Sequence, residues 1–129
     1  MNNKAFTLIE LLAVITVIAV ISVITVPVIT RTINNSKQST YDRQAEIIER
    51  ASENWFIKQS DVLDENSKVI VDIDYLLQEG YLKGNEITST KTGNKLSGCV
   101  SITYSSNQYT YKFSENNCTC LTDCKKYEK

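Results

Sequence analysis

The sequence predicts an α+β protein in which a long N-terminal helix packs on a small antiparallel β-sheet. Three observations carry this prediction. Residues 11–30 form an apolar run without a charged side chain, an amphipathic helical pattern follows it, and the C-terminal part alternates apolar and polar residues as strands do. A chain of 129 residues has room for one ordinary domain and an appendage.

Charge and composition exclude several classes of function. The formal net charge of −1 gives no basic surplus, so we expect no strong nucleic-acid binding. The chain has no histidine, and therefore lacks the commonest general base near neutral pH. We identify no nucleophile paired with a base, no phosphate-binding glycine loop and no catalytic carboxylate pair, and so we expect no enzyme and no cofactor.

The first element is a helix of membrane-spanning length. Twenty residues, from Leu11 to Thr30, rise about 1.5 Å each and match a hydrocarbon core of about 30 Å. A cleaved secretory signal has a shorter apolar run followed by small residues at a cleavage site. This run ends instead in a β-branched stretch around Pro27, which favours a helix that stays attached to the chain.

An acidic residue, Glu10, directly precedes the apolar run. An ionisable side chain there costs a few kcal/mol and is by default a functional candidate. If the chain is cut before Phe6, the new α-amine lies four residues from Glu10, about one turn away on the same helix face. Ammonium and carboxylate would then neutralise each other. The alternative is that Glu10 only marks where the helix leaves the lipid.

Residues 4–12, Lys-Ala-Phe-Thr-Leu-Ile-Glu-Leu-Leu, resemble the prepilin cleavage and methylation motif of type IV pilins and pseudopilins. The resemblance implies that prepilin peptidase removes residues 1–5 on the cytoplasmic side, N-methylates Phe6 and leaves the apolar helix in place. This chain has Ala5 where the family usually has glycine before the cut. Pro27 lies where pilins commonly carry a proline that bends the helix.

The resemblance also implies an organisation and a set of partners. The chain would comprise a leader at 1–5, a transmembrane and filament-core helix at 6–30, and an outward-facing globular domain at 31–129. Glu10 and Pro27 would act in assembly. The implied partners are prepilin peptidase, other copies or related pilin subunits in a helical filament, the pilus assembly platform, and membrane lipid before assembly.

The implied location is a single pass through the cytoplasmic membrane with the C-terminal domain outside, followed by an extracellular filament on the cell surface. The basic residues flanking the run favour the opposite orientation, because Lys4 precedes it and Arg31, Lys37 and Arg43 follow it. The expected orientation therefore rests on the resemblance and on the cysteines.

After a polar connector at residues 31–39, a second helical pattern begins. Its apolar positions recur at spacings of four, three, three and four and form one stripe: Tyr41, Ala45, Ile48, Ala51 and Trp55. The charged residues of the opposite side are Asp42, Arg43, Glu46, Glu49, Arg50 and Glu53. We expect one long helix that continues from the apolar run, with Trp55 packed in a core against the sheet.

Two short elements and a possible strand follow. Residues 69–71 form an extended apolar run, and Asp74 is expected to cap a brief helix that ends at Gly80. A further strand is expected around residues 86–90. The acidic residues between 61 and 74 lack the spacing of a calcium loop, so we interpret them as caps and solvated loop.

A β-hairpin is the clearest element of the C-terminal part. Residues 100–104 and 109–113 alternate apolar and polar positions on either side of Ser-Ser-Asn-Gln at 105–108. With the earlier strands it would complete a sheet of three or four strands. We expect Tyr109, Tyr111 and Phe113 to pack across strands, in preference to forming an adhesive surface.

The 4 cysteines all follow the apolar run, at positions 99, 118, 120 and 124. An even number in an exported small domain indicates two disulfides. Because a bridge between Cys118 and Cys120 would be strained, Cys99 is expected to pair with either of them and Cys124 with the other. A zinc site built from all four is the alternative, but the spacing lacks paired Cys-x-x-Cys motifs, so we expect no metal.

These features predict a structural subunit of a type IV pilus-like filament: a major pilin, a minor pilin or a pseudopilin. Its role would be adhesion, motility, type II secretion or the DNA uptake of competence. The alternative is a membrane-anchored extracellular binding module that does not polymerise.

Overall fold

The structure is a computed structural model that describes residues 5–59, 62–84, 86–120 and 124–128. The helices and strands, in chain order, are α1 (Leu8–Gln59), β1 (Lys68–Asp72), α2 (Ile73–Gln78), β2 (Cys99–Ser105), β3 (Gln108–Ser114) and β4 (Cys124–Tyr127). The predicted α+β class is confirmed. By the contacts within it, the chain divides into two units, Met1–Lys37 and Gln38–Lys129.

The first unit contains the apolar part of α1. The helix begins at Leu8, continues through Pro27 and leaves every side chain described in this unit exposed. Hydroxyl groups within the run donate to carbonyl oxygens four residues earlier, as Ser22 does to Ile18 at 2.7 Å and Thr30 to Val26 at 3.0 Å. These polar groups are therefore satisfied inside the helix, and the surface is left apolar.

In the second unit, the apolar stripe of α1 lies in the core as predicted. Ile48, Ala51 and Trp55 are buried, while Tyr41 is partly buried and packs against them. The other buried residues of this core are Phe56, Val69, Val71, Ile73, Leu76, Leu82, Leu96, Val100 and Ile102. The helix is thus held by burial of one face, which contributes about 1.5–3 kcal/mol for each large apolar side chain.

Within the described part of the chain, the sheet has four strands in the order β3-β2-β1-β4. β1 pairs antiparallel with β2, and β2 pairs antiparallel with β3 in the predicted hairpin. Ser106 and Asn107 form the hairpin turn with φ values of 50° and 63°, the left-handed conformation that matches the twist of two-residue hairpins. The extended run at 69–71 is confirmed as part of β1.

Two sequence-based expectations for the middle of the chain are wrong in detail. Residues 86–90 do not form a strand, since they contribute only an isolated bridge between Thr88 and Lys95. The buried Ser89 organises a turn instead: its hydroxyl accepts from the Lys91 N–H, and its carbonyl accepts from the Gly93 N–H at 2.8 Å. The N-cap of α2 is Asp72, and Asp74 lies in the first turn.

The sheet is mixed, whereas a purely antiparallel sheet was predicted. β4 lies beside β1 and runs parallel to it, with Val71 opposite Tyr127. Tyr127 packs its ring on Trp55 of α1, with the ring centroids 4.7 Å apart. The short sequence Cys-Lys-Lys-Tyr carries no alternating apolar pattern, so tertiary packing places this strand.

Candidate functional site

The first turn of α1 is closed by a reciprocal pair of hydrogen bonds. The Glu10 N–H donates to Thr7 Oγ1 at 3.3 Å, and the Thr7 N–H donates to Glu10 Oε2 at 3.3 Å. This arrangement is a capping box, which satisfies two backbone donors that a helix N-terminus otherwise leaves unpaired. This role of Thr7 was not predicted, although Thr-x-x-Glu immediately before an apolar run is the usual signal of a capping box.

The predicted cleavage residues lie outside the helix. Ala5 and Phe6 precede the first turn, and the Phe6 side chain is 79% exposed. The bond between them is therefore in non-helical, accessible backbone. The other leader residues, 1–4, lie outside the described residues.

The structure does not bring the two predicted assembly residues together. Glu10 lies in the first turn of α1 and Pro27 lies seventeen positions later in the same helix, a separation of about 25 Å at 1.5 Å per residue. Any joint role of Glu10 and Pro27 therefore acts through the helix as a whole, and not through a shared local site.

The apolar run forms a long uncovered surface. A series of large apolar side chains begins at Phe6, Leu8 and Ile9 and continues to Ile33. Each of these side chains is about half exposed or more. Among the described residues, α1 is the one helix that is long and apolar enough to cross a membrane. A surface of this size requires lipid or other apolar helices to cover it.

Polar contacts attach the second part of α1 to the sheet domain. Glu49 Oε1 accepts a hydrogen bond from the Phe113 N–H at 2.9 Å, so a residue predicted on the side of α1 opposite the apolar stripe contacts β3. Tyr41 donates its hydroxyl to Glu115. Burial, together with this hydrogen bond, raises the pKa of Tyr41 to about 12.

The predicted aromatic packing is present on β3. Phe56 of α1 lies 5.3 Å from Tyr109 and 6.4 Å from Tyr111, measured between ring centroids. Tyr109 also contacts Tyr104 of the neighbouring strand at 4.8 Å. Burial raises the pKa of Tyr111, and the charge of Glu53 acts in the same direction. These rings support the domain core.

The four cysteines form two disulfides, Cys99–Cys118 and Cys120–Cys124. Of the two pairings that the sequence left open, the structure contains this one. The first bond joins the buried start of β2 to the segment after β3, and the second joins Cys120 to the first residue of β4. The sulfur atoms lie in two separate bonds, so they do not form the four-cysteine zinc site considered as the alternative.

The comparisons with known proteins bear on the N-terminus alone. Residues 1–26 match the family model described as the prokaryotic N-terminal methylation motif. No curated protein and no solved structure matches the chain. The matched residues include Ala5, Phe6, Thr7 and Glu10, and end one residue before Pro27.

This match connects the first turn of α1 and the apolar run with a known motif. The motif supports a precursor of the type IV pilin or pseudopilin kind, and it implies a structural subunit, processing by prepilin peptidase and assembly with other pilins. Together with the uncovered apolar helix, it fits a membrane-anchored protein with a C-terminal domain. The N-terminus of this chain carries the type IV pilin signature.

Proposed function

We propose that this chain is a subunit of a type IV pilus-like filament, cut between Ala5 and Phe6, N-methylated on Phe6 and assembled from the membrane. One observation carries the proposal. The exposed apolar part of α1 overlaps the methylation motif at residues 1–26, and Glu10 is the only charged residue between positions 6 and 30.

The membrane explains why a directional contact is needed. Moving an apolar helix from lipid into a bundle of similar helices gains little hydrophobic free energy, because lipid tails are as apolar as the helices. The register of subunits must then come from a polar interaction. A carboxylate in the first turn of the helix, close to an apolar phase, is suited to this task because an ion pair is weakly screened there.

We infer that the partner of Glu10 is the α-amine of Phe6 on an adjacent subunit. In the uncut chain, the Glu10 carboxylate accepts the Thr7 N–H within its own helix. Cleavage before Phe6 creates a cation that competes for this carboxylate. Formation of a filament thus becomes dependent on processing, since the uncut chain has no α-amine at this position.

In this proposal, residues 1–5 are the leader, residues 6–30 are the filament core and residues 31–129 form the outward-facing domain. Two disulfides in the C-terminal part support an oxidising exterior location for that domain. Pro27 leaves the Val23 carbonyl without its helical donor, which permits local bending as helices pack.

The test replaces Glu10 with Gln or Ala and compares sheared surface filaments with membrane fractions in the producing cells. We expect normal membrane insertion and a severe loss of filaments for both variants. Glu53→Gln is the matched control, because Glu53 is an exposed glutamate of the same helix beyond the apolar run. Normal filaments from Glu10→Gln would refute the assembly mechanism. A wild-type chain that is never cut and never found in filaments would support the anchored binding module instead.

A further inference from the structure

Three potential metal-ligand atoms meet at one end of the sheet. Asp72 ends β1, and its partner across the β1–β2 ladder is Cys99, the first residue of β2. Cys118 is bonded to Cys99. A carboxylate oxygen of Asp72 and the Sγ atoms of both cysteines all lie within 4.8 Å of one another.

The backbone around this group is well supported. Asp72 and Cys99 are held by strand pairing. Next to them, the Ile73 N–H donates to the Gly98 carbonyl at 3.1 Å. The loop carrying Cys118 is fixed to the end of β3, because the Asn117 N–H donates to Ser114 Oγ at 3.2 Å. The three ligands thus come from segments whose positions do not depend only on the sulfur–sulfur bond.

Burial gives the group a closed side and an open side. Cys99 is completely buried, whereas Asp72 and Cys118 are partly exposed. The Cα atoms of the two cysteines lie 5.8 Å apart. This spacing lets two thiolates reach one ion, since sulfur atoms at about 2.3 Å from a tetrahedral zinc lie roughly 4 Å from each other.

We propose that, when Cys99 and Cys118 are reduced, their thiolates and the Asp72 carboxylate bind Zn²⁺, with water at the fourth position on the open side. Thiolates and carboxylates are both zinc ligands, and three protein ligands with a water at the fourth position is the usual number for an open zinc site. This site differs from the four-cysteine cluster, because Cys120 and Cys124 take no part in it. It also revises the sequence-based expectation of no metal.

The surrounding charges agree with a cation site. Among the described residues, the charged groups that act on Asp72 include Lys126, Glu128 and Asp74. Lys126 is paired with Glu128 at 3.0 Å. Glu128 thus partly compensates the positive charge of Lys126, and Asp74 adds a second carboxylate near Asp72.

Zinc binding and disulfide formation are alternative states of the same two sulfur atoms. When an external disulfide oxidises the site, the Cys99 and Cys118 thiolates form their bond and give up two electrons. The external disulfide accepts these electrons and leaves as two thiolates, and the Zn²⁺ is released. Bound zinc therefore slows oxidation of these two thiolates by an external disulfide, and the inference does not depend on filament assembly.

Cobalt(II) provides the first test, because its bonds to thiolates absorb in the near ultraviolet. The full chain in detergent, carrying Cys120→Ser and Cys124→Ser and fully reduced, should show this absorption with saturation at one cobalt per chain. Zn²⁺ should abolish it. Asp72→Asn should weaken binding by about tenfold or more, while Asp64→Asn, at an exposed position before the opposite end of β1, should leave the affinity unchanged.

Either of two results would overturn the proposal: no thiolate–cobalt absorption in the Cys120/Cys124 variant, or undiminished absorption when Cys99 and Cys118 are the cysteines replaced by serine.

A second measurement uses the wild-type reduced chain and oxidised glutathione. Zn²⁺ should slow formation of the Cys99–Cys118 bond, followed by peptide mass spectrometry, and leave that of Cys120–Cys124 unchanged. Equal slowing of both bonds would also contradict the assignment.

Discussion

The two parts of helix α1 show how one helix serves two different surroundings. From Leu8 to Lys37 every side chain is exposed, and the polar groups bond within the helix. From Gln38 to Gln59 the same helix buries one face in a core and bonds through its polar side chains to the domain. The first part carries the family signature and needs other molecules to cover it. The second part is stabilised by its own chain.

The largest expected contrast between the two parts comes from truncating one apolar residue in each. Trp55→Ala removes a side chain that is 1% exposed, so the free energy of unfolding should fall by about 3–5 kcal/mol. Ile15→Ala removes a side chain that is 60% exposed and should change it by less than about 0.5 kcal/mol. Denaturant unfolding in detergent, followed by circular dichroism, checks both values. Similar losses of unfolding free energy for the two variants would contradict the division of α1 into an uncovered part and a part packed in the core.

A smaller contrast separates the two disulfides of the globular domain. The Cys99–Cys118 bond closes a loop with a sequence separation of 19, against 4 for Cys120–Cys124. Constraint of the unfolded chain is worth about 3 kcal/mol for the longer loop and about 2 kcal/mol for the shorter one. Replacing Cys99 and Cys118 together by serine should therefore lower the midpoint of thermal unfolding more than replacing Cys120 and Cys124. The reverse order would show that the Cys120–Cys124 bond stabilises the domain mainly by holding β4 in place, and that loop length does not decide the contribution of each bond.

The smallest effect concerns the polar attachment of α1 at Tyr41. Its pKa in the folded chain is about 12, against an ordinary value of 10.0. As pH rises above 10, the unfolded chain loses this proton first, so stability falls between pH 10 and 12. Below pH 10 the group makes no pH-dependent contribution. Unfolding measured across this range should show a shallower decline for Tyr41→Phe than for the wild type, and identical slopes would exclude this contribution.

Much of the fold follows from periodic patterns in the sequence. The stripe ending at Trp55 predicted the buried face of α1, and the alternation on either side of Ser106 and Asn107 predicted the hairpin. These elements are strongly specified because each repeats its apolar positions over several turns or pairs. β4 has no such repeat, and its position depends on pairing with β1 and on contact between Tyr127 and Trp55.

The candidate site also contains residues that a sequence pattern predicts and residues that only the folded structure brings together. Phe6 and Glu10 were predicted as functional residues because their spacing allows an ion pair in a cut chain, and both lie within the matched motif. The reciprocal bonds of Thr7 and Glu10 were not predicted, because Glu10 was interpreted as an ion-pair partner of the cut terminus or as a charge at the membrane boundary, although the local pattern was present. The approach of Asp72 to Cys99 could not be predicted, since it depends on the register of β1 against β2.

The most direct test of the central proposal is the intact mass and N-terminal peptide mass of the protein from its native membrane and filaments, before and after reduction and alkylation. We expect a chain that begins at N-methylated Phe6, with its 4 cysteines alkylated only after reduction. A chain that retains Met1 to Ala5 would show that it is not processed as a pilin, and would contradict the account.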